Sequence, residues 1–157
     1  MAIHPQNRTD HQNTRFYDAS NWMGSDFTND DMVKESSLEE DYRAKLLSKK
    51  GNSATLELIP REDAAVVWGK IIIDVDLKNA VPVKETFCDD MMKKVRVLTF
   101  SKVERHGSHM VPMVMELKPL DANKKKNRTK VIYEKVDFDA HIDPSYFTKQ
   151  ALKRYSR

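Results

Sequence analysis

The chain has 157 residues, a length that fits one domain able to bury a core without disulfides or metals. Its 27 basic and 24 acidic residues nearly cancel, to +3, and are spread along the whole chain, which describes a solvated surface rather than the clustered basic footprint of a nucleic-acid binder. A single cysteine, Cys88, excludes an internal disulfide, and no run approaches the roughly 18 apolar residues of a membrane-spanning helix.

Residues 1–15 are polar, with almost nothing to bury and no apolar run of the kind that forms a signal-peptide core; they read as a disordered or remnant tail before one domain over 16–157. Within TNDDMVKE, Thr28 or Asn29 is the expected N-cap of a short helix, and Asp30 and Asp31 fall in its first turn, where they complement the helix dipole. Period-two alternation then recurs in seven segments separated by turn residues.

The first runs from Asp41 to Ser48 with Tyr42, Ala44 and Leu46 alike, and Lys50-Gly51-Asn52 turns it into Ala54–Ile59. The third, Val66–Leu77, is strongly β-branched; alternation places Val67, Ile71, Ile73 and Val75 on one face, and Trp68, Ile72, Asp74 and Asp76 on the other. Val81–Cys88 follows, with Val83 and Phe87 facing alike, then Lys93–Arg105, then Met110–Lys118 with Val111, Met113, Met115 and Leu117 in register. Thr129–Asp139 is the seventh, and a helix closes the chain, capped by Asp143 with Pro144 at its first position or else by Ser145. No helical crossover separates the strands. The predicted fold is therefore mainly β (α+β): a curved antiparallel meander, with short helices too few to cover its apolar face.

The segment WMGSDFTNDD, Trp22 to Asp31, resembles the Gly-Ser-Asp-Phe motif and acidic short helix of the LolA-like outer-membrane lipoprotein-sorting family. The same order continues through Asp41-Tyr42, the strand from Trp68 through Asp74-Val75-Asp76, Pro82-Val83-Lys84, the acidic turn Asp89-Asp90, Arg128-Thr129 and Phe147-Thr148. The resemblance covers residues 16–157 and is to the family's C-terminal part; further strands precede this motif in family members. A second departure is the turn before the fifth strand, where the family commonly has Gly and this chain has Met91 and Met92. The resemblance implies a half-barrel whose concave face and helical lid receive acyl chains, a periplasmic location, and association with an inner-membrane lipid exporter of the RND type.

Other clusters read as structural. His106 and His109 with Met110, Met113 and Met115 offer soft donors suited to copper, but Met113 and Met115 alternate as inward strand positions and the histidines sit at a turn. Asp137, Asp139, His141 and Asp143 could line one strand face around a hard cation, yet solvent faces carry such charges routinely. Lys124-Lys125-Lys126 with Arg128 is a basic run without interleaved aromatics, as a polar loop tip would be. There is no G-x-S-x-G elbow, H-E-x-x-H motif or glycine-rich phosphate loop, so neither catalysis nor a cofactor is expected.

The leading reading is a non-enzymatic carrier of a lipid or lipidated protein. Its apolar face is assigned to Val67, Ile71, Ile73, Val83, Phe87, Val97, Met113, Met115, Val131 and Tyr133. The alternatives are a module that docks on a membrane exporter without holding lipid, and metal binding. An uncovered edge near Asp41–Ser48, blunted only in part by Arg43 and Lys45, also predicts self-association.

Overall fold

The computed structural model describes residues 25–28, 31, 38–64, 66–122, 127–138 and 140–155. The predicted tail, most of the first helix, Trp22, Gly24, Lys124–Lys126 and Asp139 lie outside them. Seven strands form one antiparallel sheet in strict chain order: β1 (Tyr42–Lys50), β2 (Ser53–Pro60), β3 (Lys70–Asp76), β4 (Val81–Cys88), β5 (Lys94–His106), β6 (His109–Pro119) and β7 (Thr129–Ile132). The sheet is curved and unclosed. A single helical turn, α1 (Leu38–Asp41), leads into β1; a 3₁₀ turn (Pro144–Phe147) and α2 (Lys149–Tyr155) end the chain.

The turns explain the meander. Gly51 and Gly107 take positive φ of 57° and 61° in two-residue loops, a backbone region that L side chains resist. Between β4 and β5 the left-handed position is held by Met92, at φ 64°. The Asp89 carboxylate accepts from the Lys93 N–H at 2.8 Å and its carbonyl accepts from the Met92 N–H, so this hairpin closes on aspartate hydrogen bonds. Asp143 is the cap of the last segment: its carboxylate accepts from the Ser145 N–H at 2.8 Å, with Pro144 following it.

Paired residues of an antiparallel sheet share a face, so the register defines two cross-sheet rows. One runs Leu46, Leu56, Ile73, Glu85, Leu98, Leu117, Thr129, a residue from each strand; the next runs Ala44, Leu58, Ile71, Phe87, Arg96, Pro119. The core lies on this face. Tyr42, Leu58, Ile71, Ile73 and Phe87 are buried together, with Val66, Trp68, Val75, Val95 and Leu98 packed against them. Burial, with the Asp41 charge beside it, pushes the Tyr42 hydroxyl pKa up to about 12.

Three sequence expectations change. β3 begins at Lys70, not Val66, and the segment before it is not extended pairing: Val66 and Trp68 pack on the core, so Trp68 joins Ile71 and Ile73 instead of opposing them. Gly69 makes this crossing possible, since a Cβ there would stand 2.4 Å from the Asp89 carbonyl oxygen. β7 stops at Ile132; beyond it Phe138 packs on the His109 ring, with centroids 4.4 Å apart, rather than continuing a strand to Asp139.

Candidate functional site

The segment around Asp26 is tied to the apolar face by polar contacts at its margin. The Asp26 N–H donates to Thr129 Oγ1 at 3.2 Å, Thr129 donates back to the Asp26 carboxylate, and Phe27 is buried. Thr28 and Asp31 form a reciprocal cap: the Asp31 N–H donates to Thr28 Oγ1, and the Asp31 carboxylate accepts from the Thr28 N–H at 2.8 Å. Of the two expected caps, Thr28 thus caps Asp31, and Asn29 lies outside the described residues.

Arg96 completes the attachment. It stands on the apolar face and is buried, with its guanidinium carbon 4.2 Å from the Trp68 ring centroid and 4.6 Å from that of Phe87. Both terminal nitrogens donate to the Asp31 carboxylate, one of them at 2.7 Å. Burial pushes the Asp31 carboxyl up, but the Arg96 hydrogen bonds and charge, together with Thr28, hold it below the usual carboxylate value. Among the described residues Arg96 Nε has no acceptor, and the guanidinium is flanked by the Trp68 and Phe87 rings.

A cavity of about 210 Å³ lies beneath this segment, lined by Asp26, Thr28, Trp68, Val95, Arg96, Leu117, Pro119 and Asp121. It falls below the roughly 300 Å³ at which drug-sized ligand pockets begin, and the apolar face of the sheet beyond it stays partly open to solvent. There Leu46 is 55% exposed and Leu56, Phe100, Met115 and Val131 are half-buried, all on one side of the sheet.

The ten residues assigned from sequence separate into groups. Ile71, Ile73, Phe87 and Met113 are on this face and buried; Met115 and Val131 are on it and partly open. Val97 pairs with Thr86 on the opposite face, and Val83 falls in the β-bulge between the Asp74–Lys84 and Val75–Pro82 pairs, where it is 46% exposed. Val67 lies off the sheet, beside Val66 and Trp68 which do reach the core. Tyr133 follows β7, its N–H donating to the Met113 carbonyl at 2.9 Å.

Leu46, Leu56, Leu98 and Phe100 were absent from the assigned set. For Leu98 and Phe100 the reason is Arg96: a charged residue at an inward position makes Val95 and Val97 look like the apolar phase, and a register shift at Phe87/Cys88 leaves Val95 between the phases. Cys88 is buried. Among the described residues no three His, Cys, Asp or Glu side chains gather as a metal would need; His106 faces Glu104 at 3.6 Å, and His109 faces Ser108 and Phe138.

The sheet superposes on three crystal structures. One is a domain assigned to outer membrane lipoprotein sorting from Vibrio parahaemolyticus, with TM-score 0.70, 22% identity, 87% of this chain and 58% of that one covered. Another is a DUF1329 family protein from Desulfovibrio piger, with TM-score 0.72, 19% identity and 86% and 56% covered. The third is a LolA superfamily protein from Nitrosomonas europaea, with TM-score 0.66, 18% identity and 86% and 61% covered. The chain thus spans less than two thirds of each. No curated protein matches it. A family model described as "Uncharacterized protein" matches residues 12–154. The resemblance seen in the sequence is borne out at the level of fold: the chain belongs to the family whose model spans residues 12–154, and its open antiparallel sheet has the fold of the LolA superfamily.

Proposed function

We propose that this protein is a non-enzymatic carrier that holds acyl chains, of a lipid or a lipidated protein, on the open apolar face of its sheet. One observation carries the reading: a single face is apolar from β1 to β6 and onto Val131 of β7, interrupted in its two central rows only by Glu85, Arg96 and Thr129, while part of it stays open to solvent. Arg96 is engaged by Asp31 and Thr129 by Asp26, so neither is left as an unpaired charge or hydroxyl. Each methylene removed from water against such a face contributes about 0.8 kcal/mol, so a chain of ten or more carbons needs no polar anchor. Met115 adds an unbranched, polarisable surface that tolerates cargo of different shapes. Exposed Ile142, Tyr146, Phe147 and Leu152 in the closing segment offer further apolar surface for the same cargo.

The fold relationship supports a periplasmic setting, and the sequence resemblance supports exchange of cargo with an inner-membrane lipid exporter of the RND type. Titration with a fluorescent fatty acid tests the carrier reading. Saturable binding is expected, weakened at least about tenfold in Phe100→Asp and Val131→Asp, because a carboxylate placed under an acyl chain is costly to desolvate. Both positions are half-buried, so cooperative melting should persist in the variants. Undiminished binding in folded forms of both would remove this face from the site.

A further inference from the structure

We propose that Arg96 is a head-group site: the carboxylate of a fatty acid displaces the Asp31 carboxylate from it, so that the segment carrying Asp31 is a built-in competitor of anionic cargo. The inference rests on the carrier reading and deepens it, naming a singly charged carboxylate amphiphile as the preferred cargo. Arg96 is the one cation in the two central rows of the apolar face. Its guanidinium carbon lies 4.2 Å and 4.6 Å from the Trp68 and Phe87 ring centroids, so these rings hold the planar fork in place whether or not Asp31 is there. Both terminal nitrogens of the fork donate to the Asp31 carboxylate. Such two-point contact is also how a guanidinium recognises the carboxylate of a free ligand.

Asp31 is the more exchangeable member of the pair. Its side chain is 19% exposed against 9% for Arg96, and its reciprocal cap with Thr28 lies within the segment and travels with it. The described links from the segment to the sheet are the Arg96 pair, the Asp26–Thr129 hydrogen bonds and the burial of Phe27. A buried guanidinium left alone is costly, so the segment is released only when another anion takes the place of Asp31. A carboxylate restores the charge that Asp31 removes, whereas a doubly charged phosphate would add one beside Asp121, which also borders the cavity. From Arg96, β5 carries Leu98 and Phe100 on the same face, the latter roughly 14 Å along the strand at about 3.4 Å per residue. A chain anchored at Arg96 therefore starts in the cavity walled by Trp68, Val95, Leu117 and Pro119 and runs over Leu98, Phe100 and Met115. Burial of the chain supplies affinity; Arg96 selects the head.

The test uses the full chain and compares dodecanoic acid with dodecanamide, which has the same chain and an uncharged head, each read by displacement of the fluorescent fatty acid. Asp31→Asn weakens the competitor and is expected to raise the preference for acid over amide at least about tenfold relative to the parent. Arg96→Met combined with Asp31→Asn removes both charges and should abolish the preference. In the parent, the acid but not the amide should speed exchange of the Asp26 N–H, which loses its Thr129 acceptor when the segment lifts. If Asp31→Asn melts non-cooperatively, Thr129→Val, which frees the Asp26 end of the segment, serves in its place, with a rise of at least about threefold expected. A preference unchanged in every folded variant overturns the proposal, as does acid that slows exchange at Asp26, which would mark a segment clamped over cargo instead of displaced by it. Acid and amide bound alike in all of them would leave the carrier reading standing without this site; binding of neither would overturn both.

Discussion

Arg96 shows how one side chain can hold a fold and hide it from sequence patterning. A guanidinium on an apolar sheet face is stable there only because Asp31 neutralises it and Trp68 and Phe87 stack on it. Replacing Asp31 with Asn should therefore cost about 3 kcal/mol, the lower end for breaking a buried pair because Asp31 retains some exposure, with a loss of midpoint in urea. The folded pKa of Asp31 lies below its unfolded value, so its contribution is complete above that unfolded value and is lost as pH falls through the lowered folded one. Stability measured from pH 6 down to pH 2 should fall less steeply in Asp31→Asn than in the parent; equal slopes would show that the pair does not govern the acid limb. Two turn positions give opposite tests. Met92→Gly relieves a left-handed L residue and should stabilise by about 1 kcal/mol, whereas Gly69→Ala forces a Cβ into the Asp89 backbone and should destabilise by about 1–3 kcal/mol.

At the scale of elements, the strands were legible because alternation, β-branching and turn residues agreed: all seven segments are present and in the predicted antiparallel order. What alternation could not convey was phase. Bulges at Leu46/Ser48, Asp74/Val75 and Phe87/Cys88 each shift the face that follows, and a one-residue slip moves every later side chain across the sheet. That is why Val83 and Val97 were assigned to the open face and Leu98 and Phe100 were not. The site motif was more legible than its mechanism: Asp26, Thr28 and Asp31 stood out by resemblance, but their partners Thr129 and Arg96 are 103 and 65 residues away. The single closing helix expected from sequence is broken at Thr148, whose extended backbone separates the 3₁₀ turn capped by Asp143 from α2, and Phe147 at 80% and Leu152 at 70% exposed show that this segment contributes little core. Ending the chain before Lys149 should change the free energy of unfolding by less than about 0.5 kcal/mol, the size expected of exposed substitutions. A larger loss in chemical denaturation would mean that α2 supports the sheet.

For the whole molecule, a sheet that pairs only neighbours in sequence and never closes must lose stability outward from its centre. β3 from Ile71 to Asp76, β4 from Lys84 to Cys88 and β5 from Arg96 to Thr99 are paired on both sides, and β3 and β4 hold the buried Ile71, Ile73 and Phe87. Beyond Thr99, β5 has no β4 partner, and Ser101–Pro112 continues as a two-stranded ribbon whose residues are mostly exposed. Two-stranded ribbons are at best marginally stable alone, and local opening follows low apolar burial and solvent-exposed hydrogen bonds. Native-state amide exchange should accordingly be slowest in β3, Lys84–Cys88 and Val95–Leu98, intermediate in β2 and in β6 from Met113 to Leu117, and fast in β1, β7 and the Ser101–Pro112 ribbon. The order has a functional side, because the half-open residues Leu46, Phe100, Met115 and Val131 all lie in or next to the weakly held outer parts, where a face can yield to cargo without disturbing the centre. Saturation with fatty acid should then slow exchange around Phe100, Met115 and Val131 far more than in β3. Uniform protection across all seven strands before ligand is added would contradict this gradient and describe a sheet that opens only by global unfolding.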